Sequence, residues 1–181
     1  MNDLPLNAHP DLQRAVIFHG HFCPGLAIGY RATQIAMDAL GTGRAEDEGL
    51  VAIVENDSCA VDAVQVLAGC TFGKGNLIFR DHGKHVYTFA LRPSGQAVRL
   101  SLRPRDEADR TEMSRDEQAQ WFLEADLEKV FVVQRTTIDL PPKAEIRRSM
   151  LCEACGEPVM DTRARRVNGR TLCRPCAETA P

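Results

Sequence analysis

Four cysteines near the end of the chain have the spacing of a metal cage. They are Cys152-Glu153-Ala154-Cys155 and Cys173-Arg174-Pro175-Cys176, with seventeen residues between the pairs. Two residues between ligands let one tight turn aim both sulfurs at a single ion, and two such pairs make a tetrahedral Zn²⁺ site. A site of this kind is structural, because four thiolates leave no open position for substrate. The segment is too short and polar to bury a useful core, so metal binding would supply its folding free energy. Two disulfides are the alternative. Nothing resembling a secretory signal precedes the seven cysteines, which suits a reducing cytoplasm better.

A second group of reactive residues lies in the N-terminal half. His19, His21 and Cys23 occupy alternate positions in a glycine-containing turn, which as extended chain would put all three on one side. Cys23 falls at the N-cap of a helix opened by Pro24, and Cys59 falls in the first turn of another. The partial positive charge of a helix N-terminus favours thiolate over thiol, so both are expected to be activated. Thiolate and imidazole together select zinc, nickel or iron over magnesium or calcium. His21, Cys23 and Cys59 are expected to converge on one ion, with His19 as fourth ligand or just behind. The bland readings are that Cys59 is a small apolar filler and that the two histidines cap helix carbonyls.

The remaining candidates carry less. Cys70 ends a helix, where the dipole opposes a thiolate, and reads as packing. His82 and His85 flank a strand and read as surface residues. Gly73-Lys74-Gly75-Asn76 has a weak likeness to a phosphate cradle, without the full spacing or a following Ser or Thr. Lys74 could still place its ammonium against an anionic ligand in the cleft, while the plain alternative is a turn before a strand.

Composition narrows the class. The chain has 181 residues, 44% hydrophobic and 26% charged, enough for one core and a small appendage. It has no apolar run of the ~20 residues a membrane helix needs. Its formal net charge is −3, but residues 143–181 carry eight basic and five acidic side chains. Four thiolates and one Zn²⁺ would leave that tail near +1, a poor basis for nucleic-acid binding.

The elements that must position these groups follow from the pattern. Pro10 opens a short helix to about Phe18, and Pro24 opens one to Leu40 that Gly41 stops. This second helix has two apolar stripes, so it should be buried on more than one side. Leu50–Val54 reads as an interior strand, and a helix runs from Cys59 to about Gly69. Leu77–Arg80, His85–Leu91 and the alternating run through Val98, Leu100 and Leu102 read as an antiparallel segment turning at Pro93-Ser94-Gly95. Residues 104–111 read as a charged surface loop. Ser114 and Glu117 form a capping box for a helix to roughly Glu128, and Phe131-Val132-Val133 is a last strand. Pro141-Pro142 reads as a linker, so the expected domains are 1–142 and 143–181. The fold class is α+β, helices on a mostly antiparallel sheet, with the small cysteine domain behind it.

Three motifs in order resemble the FmdE family, named for a component of formylmethanofuran dehydrogenase. They are His19-Gly20-His21-Phe22-Cys23-Pro24-Gly25, then Glu55-Asn56-Asp57-Ser58-Cys59-Ala60-Val61-Asp62-Ala63, then Gly69-Cys70-Thr71-Phe72-Gly73-Lys74-Gly75-Asn76. The C-terminal segment is similar to the treble-clef zinc finger attached to some members. The resemblance implies an α+β core that tends to dimerise, with a metal or active-site cluster of His19, His21, Cys23 and Cys59. Nothing in the chain looks able to hold a large pterin, so it implies an accessory or stand-alone metal-binding protein rather than the dehydrogenase itself.

Two functions compete. In one, the core is a metal-dependent pocket acting in redox, one-carbon or molybdopterin-linked metabolism, alone or beside an oxidoreductase partner. Cys23 and Cys59 are then ligands or nucleophiles, His19 and His21 ligands or proton carriers, and Lys74 an anion contact for a small-molecule ligand. In the other, the protein is a non-catalytic interaction module whose finger docks a protein or nucleic acid through Arg163, Arg165, Arg166, Arg170 and Arg174.

Overall fold

A computed structural model of the chain describes residues 9–105 and 113–180. The loop expected at 104–111 lies mostly outside the described residues. Two compact units divide the chain, Met1–Lys143 and Ala144–Pro181. No helix among the described residues is long and apolar enough to cross a membrane.

The first unit is α+β. Helix α1 (Pro10–His19) and helix α2 (Pro24–Leu40) each begin on a proline, whose missing N–H has no helical partner at that position. Each is closed by a left-handed glycine, Gly20 (φ 95°) and Gly41 (φ 61°). Strand β1 (Leu50–Val54), helix α3 (Ala60–Ala68) and strand β2 (Leu77–Phe79) follow, then β3 (Val86–Leu91) and β4 (Gln96–Leu102). Helix α4 (Arg115–Glu124), the short helix α5 (Leu127–Val130) and strand β5 (Phe131–Thr137) complete the unit.

The five strands form one sheet in the order β2-β1-β3-β4-β5. Three pairings are antiparallel, but β2 lies parallel to β1, with Ile53 opposite Ile78. Reading β2 into the antiparallel run is therefore corrected. A parallel neighbour needs a crossover connection, and α3 is that crossover. Alternate strand residues, including Leu50, Ala52, Val54, Tyr87, Phe89, Val98 and Leu100, join the helices in one apolar core.

Helix α4 opens on the capping box: the Ser114 hydroxyl accepts from the Glu117 N–H and Glu117 Oε2 accepts from the Ser114 N–H. It stops at Glu124 rather than near 128. Ala125 is extended (ψ 150°), and the Arg31 guanidinium donates to the carbonyls of Phe122, Leu123 and Ala125, satisfying the helix end. Helix α2 is packed against α3, α4 and the sheet. The helix is thus buried on more than one side, as its two apolar stripes require.

The second unit has two hairpins and a helix. Strands β6 (Ser149–Leu151) and β7 (Pro158–Met160) pair, as do β8 (Arg165–Val167) and β9 (Arg170–Leu172). The second hairpin turns at Asn168 (φ 50°) and Gly169 (φ 79°), the paired left-handed geometry that favours Asn-Gly. Helix α6 (Arg174–Glu178) follows directly. Cysteine turn, hairpin and helix in this order form a treble clef.

Candidate metal centres

In the second unit the sulfurs of Cys152, Cys155, Cys173 and Cys176 lie within 4.8 Å of one another. Cys152 and Cys155 sit in the turn between β6 and β7, where Gly156 (φ 74°) donates its N–H to the Cys152 carbonyl at 2.8 Å. Cys173 is the N-cap residue of α6, and its N–H donates to Cys152 Sγ at 3.2 Å. Backbone N–H groups of Cys155, Cys173 and Ala154 bring the Cys152 thiol down to about 6. Crowding pushes Cys176 up to about 12, through Cys173 first and then Cys155. One sulfur is prepared as a thiolate while a neighbour cannot ionise beside it. A divalent cation removes that conflict, so the donor set fits zinc.

In the first unit His19, His21 and Cys23 each offer a ligand atom within 4.8 Å of the other two. The extended, alternating turn expected from their spacing is not how this happens. His19 is the last residue of α1, Gly20 reverses the chain in the left-handed region, and Cys23 is the extended N-cap of α2. A helix end and a glycine reversal bring the three together. Cys23 is buried, and its Sγ accepts the Leu26 N–H at 3.4 Å, while His21 is exposed. His19 Nε2 lies 3.8 Å from Cys23 Sγ, and the two imidazole centroids are 4.6 Å apart.

Cys59 is not part of that 4.8 Å group, but it lies near enough to Cys23 for that thiol to help raise its pKa. It is delivered there by a close helix approach. A Cβ on Gly25 would meet Cys59 Cβ at 3.0 Å, and one on Gly29 would meet the Ala60 carbonyl oxygen at 2.1 Å. Only glycine lets α2 lie this near the start of α3. The expected activation of Cys59 is corrected: burial raises its pKa, and the neighbouring Cys23 raises it further. As the N-cap of α3 it makes no side-chain capping bond, so the helix field does not outweigh desolvation.

Lys74 stands elsewhere. Its ammonium donates to the carbonyls of Ala45 (3.1 Å), Glu46 (3.3 Å) and Asp47 (3.5 Å). The turn that carries it follows the C-terminal end of α3, roughly 13 Å along the helix from Cys59 at 1.5 Å per residue. Asn76 works with it, donating to the Leu50 carbonyl at 2.9 Å and accepting the Thr71 N–H at 3.0 Å. The Gly-Lys-Gly-Asn turn is a clamp on the chain entering β1. Cys70 is packing, fully buried, its thiol donating to the Leu50 carbonyl at 3.3 Å and pushed up to about 12 by burial.

Several site neighbours had not been singled out in the sequence. Asp62 Oδ2 lies 2.7 Å from His19 Nδ1. Asn56 ties the loop before Cys59, donating to the Lys84 carbonyl at 2.7 Å and accepting the Ser58 hydroxyl at 2.6 Å. Tyr87 is buried beneath it with its hydroxyl 2.9 Å from His85 Nδ1. His85 is half-buried, and burial lowers its pKa, so it is not the plain surface residue expected. His82 is a surface residue, paired with Glu55 at 3.0 Å. An acid at the fourth position of a helix opened by cysteine was the available signal for Asp62. The His85–Tyr87 pair follows from i,i+2 spacing, which puts both side chains on one face of the chain entering β3.

Residues 18–132 match the family described as FmdE, molybdenum formylmethanofuran dehydrogenase operon. The chain belongs to the FmdE family. Residues 145–180 match the prokaryotic dksA/traR C4-type zinc finger, which takes in all four clustered cysteines. A protein of Archaeoglobus fulgidus, described as a probable S-adenosyl-L-methionine-binding protein, is 33% identical over 194 residues. That alignment takes in 92% of this FmdE-family chain but 52% of the relative, so the chain spans about half the relative's length. A crystal structure of a tungsten formylmethanofuran dehydrogenase FmdE-like protein from Syntrophus aciditrophicus superposes with a TM-score of 0.65. It is 24% identical and covers 100% of this chain and 99% of that one, so the likeness is one of fold.

Proposed function

We propose that this FmdE-family chain is a metal-binding protein with two centres: a structural Zn²⁺ in the finger and a reactive transition ion, zinc, nickel or iron, in the core. His19, His21 and Cys23 would hold the core ion, with Cys59 beside Cys23 as a further ligand or a nucleophile. The reading is supported above all by the approach of those three ligand atoms to within 4.8 Å of one another. When bound, such an ion supplies Lewis acidity and stabilises thiolate. The chain's own residues do the rest. Cys23 is shielded from water, Cys59 is kept as a thiol by its surroundings until a cation arrives, and exposed His21 is placed to pass protons to solvent. The setting would be redox, one-carbon or molybdopterin-linked metabolism, alone or beside an oxidoreductase partner. S-adenosyl-L-methionine, named for the archaeal relative, is the first small molecule to test.

Metal analysis decides the matter. Protein produced with zinc, nickel and iron supplied is expected to carry two equivalents of metal, and the Cys23→Ser, Cys59→Ser double variant one. If the wild-type chain retains only the finger's equivalent after exposure to each ion, the core reading is lost.

A second reading is favoured by one observation. Arg165, Arg166 and Arg174 line a single surface cavity of about 380 Å³ in the finger, with Glu178 as the only acidic lining residue. None of the three arginines is in an ion pair among the described residues. Three free guanidinium groups suit a polyanionic partner. Fluorescence anisotropy with a single-stranded oligonucleotide and with polyglutamate tests this. Binding of either probe that R165E/R174E abolishes would favour a docking module, and no binding at about 50–100 mM salt would remove that reading.

A further inference from the structure

We propose that Asp62 is the positioning residue of the core centre: it sets the tautomer of His19 so that a bare Nε2 faces Cys23. This rests on the core metal reading for its purpose, though not for its geometry. His19 Nδ1 lies 2.7 Å from Asp62 Oδ2, and its other nitrogen, Nε2, lies 3.8 Å from Cys23 Sγ. A carboxylate only accepts hydrogen bonds, so the nitrogen facing it carries the proton and the opposite nitrogen has a free lone pair. That lone pair points to the side where a soft ion would sit.

The carboxylate is itself held. Asp62 Oδ1 accepts from Gln65 Nε2 at 3.5 Å, one helical turn further along α3. His19 ends α1, and its side chain is 12% exposed against 34% for Asp62. The imidazole is therefore enclosed, while the carboxylate that orients it stays partly exposed. Helix α3 thus contributes to the centre twice, Cys59 at its start beside Cys23 and Asp62 one turn later behind His19. A carboxylate behind a ligating histidine fixes ring orientation and raises ligand basicity, and losing it typically weakens metal binding about 10- to 100-fold.

A merely structural ion pair between α1 and α3 would show as lost stability alone. The test therefore reads tautomer and affinity together. In the full chain with zinc in the finger, nitrogen-15 NMR of His19 is expected to show the Nδ1–H form. Asp62→Ala is expected to shift it toward Nε2–H and to weaken Co²⁺ binding at the core about 10- to 100-fold. The Co²⁺ is followed by its thiolate charge-transfer band. Asp62→Asn, which can still accept at its amide oxygen, should restore much of both and serves if the alanine variant does not fold. An Nε2–H tautomer in the wild type, or unchanged Co²⁺ affinity in both variants, overturns the proposal. If the wild-type core takes up no Co²⁺, the metal reading fails. Asp62 is then judged by tautomer alone, and loss of Nδ1–H in Asp62→Ala still supports it.

Discussion

Cys173→Ser is expected to release the finger's zinc and unfold residues 144–181 while the first unit keeps its secondary structure. The apolar core of the finger holds three buried residues, Cys152, Leu172 and Cys173, and two of them are ligands. So small a core does not offset the conformational entropy of ordering the segment. Zinc binding in such modules contributes on the order of 10–16 kcal/mol near neutral pH. Serine removes one ligand, and without the ion the backbone N–H of residue 173, 3.2 Å from Cys152 Sγ, is left to tie the two cysteine turns together at this point. The thiol conflict adds to the effect, since Cys176 sits up at about 12 beside its neighbours and needs the cation to ionise. A chromogenic chelator should take the zinc from the variant within minutes and from the wild type slowly. NMR resonances of 144–181 should collapse to random-coil positions. A variant that kept one full equivalent of zinc and a dispersed finger spectrum would show that the four sulfurs are not one site.

Gly29→Ala is expected to destabilise the first unit by about 3 kcal/mol, the upper part of the range for overpacking. Two effects oppose each other. Alanine in a helix interior is favoured over glycine by ~1 kcal/mol. Against that, the new Cβ would lie 2.1 Å from the Ala60 carbonyl oxygen and 2.6 Å from its Cα. Both are backbone atoms, so a side-chain rotation cannot relieve the clash and α3 must shift. The expected fall in melting temperature is roughly 10 °C for a domain of this size. Because Ala60 follows Cys59, the shift also carries that thiol away from Cys23, and metal uptake by the core should fall while the finger is unaffected. Gly73→Ala is the control, since a Cβ there meets nothing within 4 Å. An unchanged melting temperature for Gly29→Ala would mean that the two helices are not packed this closely.

Much of the fold was legible because local signals agree with the tertiary arrangement. Pro10 and Pro24 open helices, Gly20, Gly41 and Gly69 end them in the left-handed region, and Ser114 with Glu117 forms the capping box. The apolar run Leu50–Val54 is a fully buried strand. The cysteine cage of the finger was the clearest case, since its ligands lie in two local turns and spacing alone constrains how the sulfurs face. That His19, His21 and Cys23 would come together was also legible, as were the helix starts at Cys23 and Cys59.

What the sequence did not hold were facts that depend on distant segments. The parallel partner of β1 was invisible because three residues of β2 have no pattern that distinguishes parallel from antiparallel pairing. Lys74 looked like an anion contact until the folded chain brought the carbonyls of Ala45, Glu46 and Asp47 to its ammonium. Cys59 looked activated by its helix, yet burial and Cys23 raise its pKa, because desolvation and a second thiol exist only once α2 and α3 have met. Asp62 had no signal that tied it to His19, forty-three residues away. By itself the sequence determined which chemical groups are present, where the helices start, and the spacing of the finger's four cysteines, all set by near neighbours along the chain. Only the tertiary structure decided which of those groups share a site and what their charge states are, because both depend on packing between helices that the glycines at 25 and 29 allow to touch.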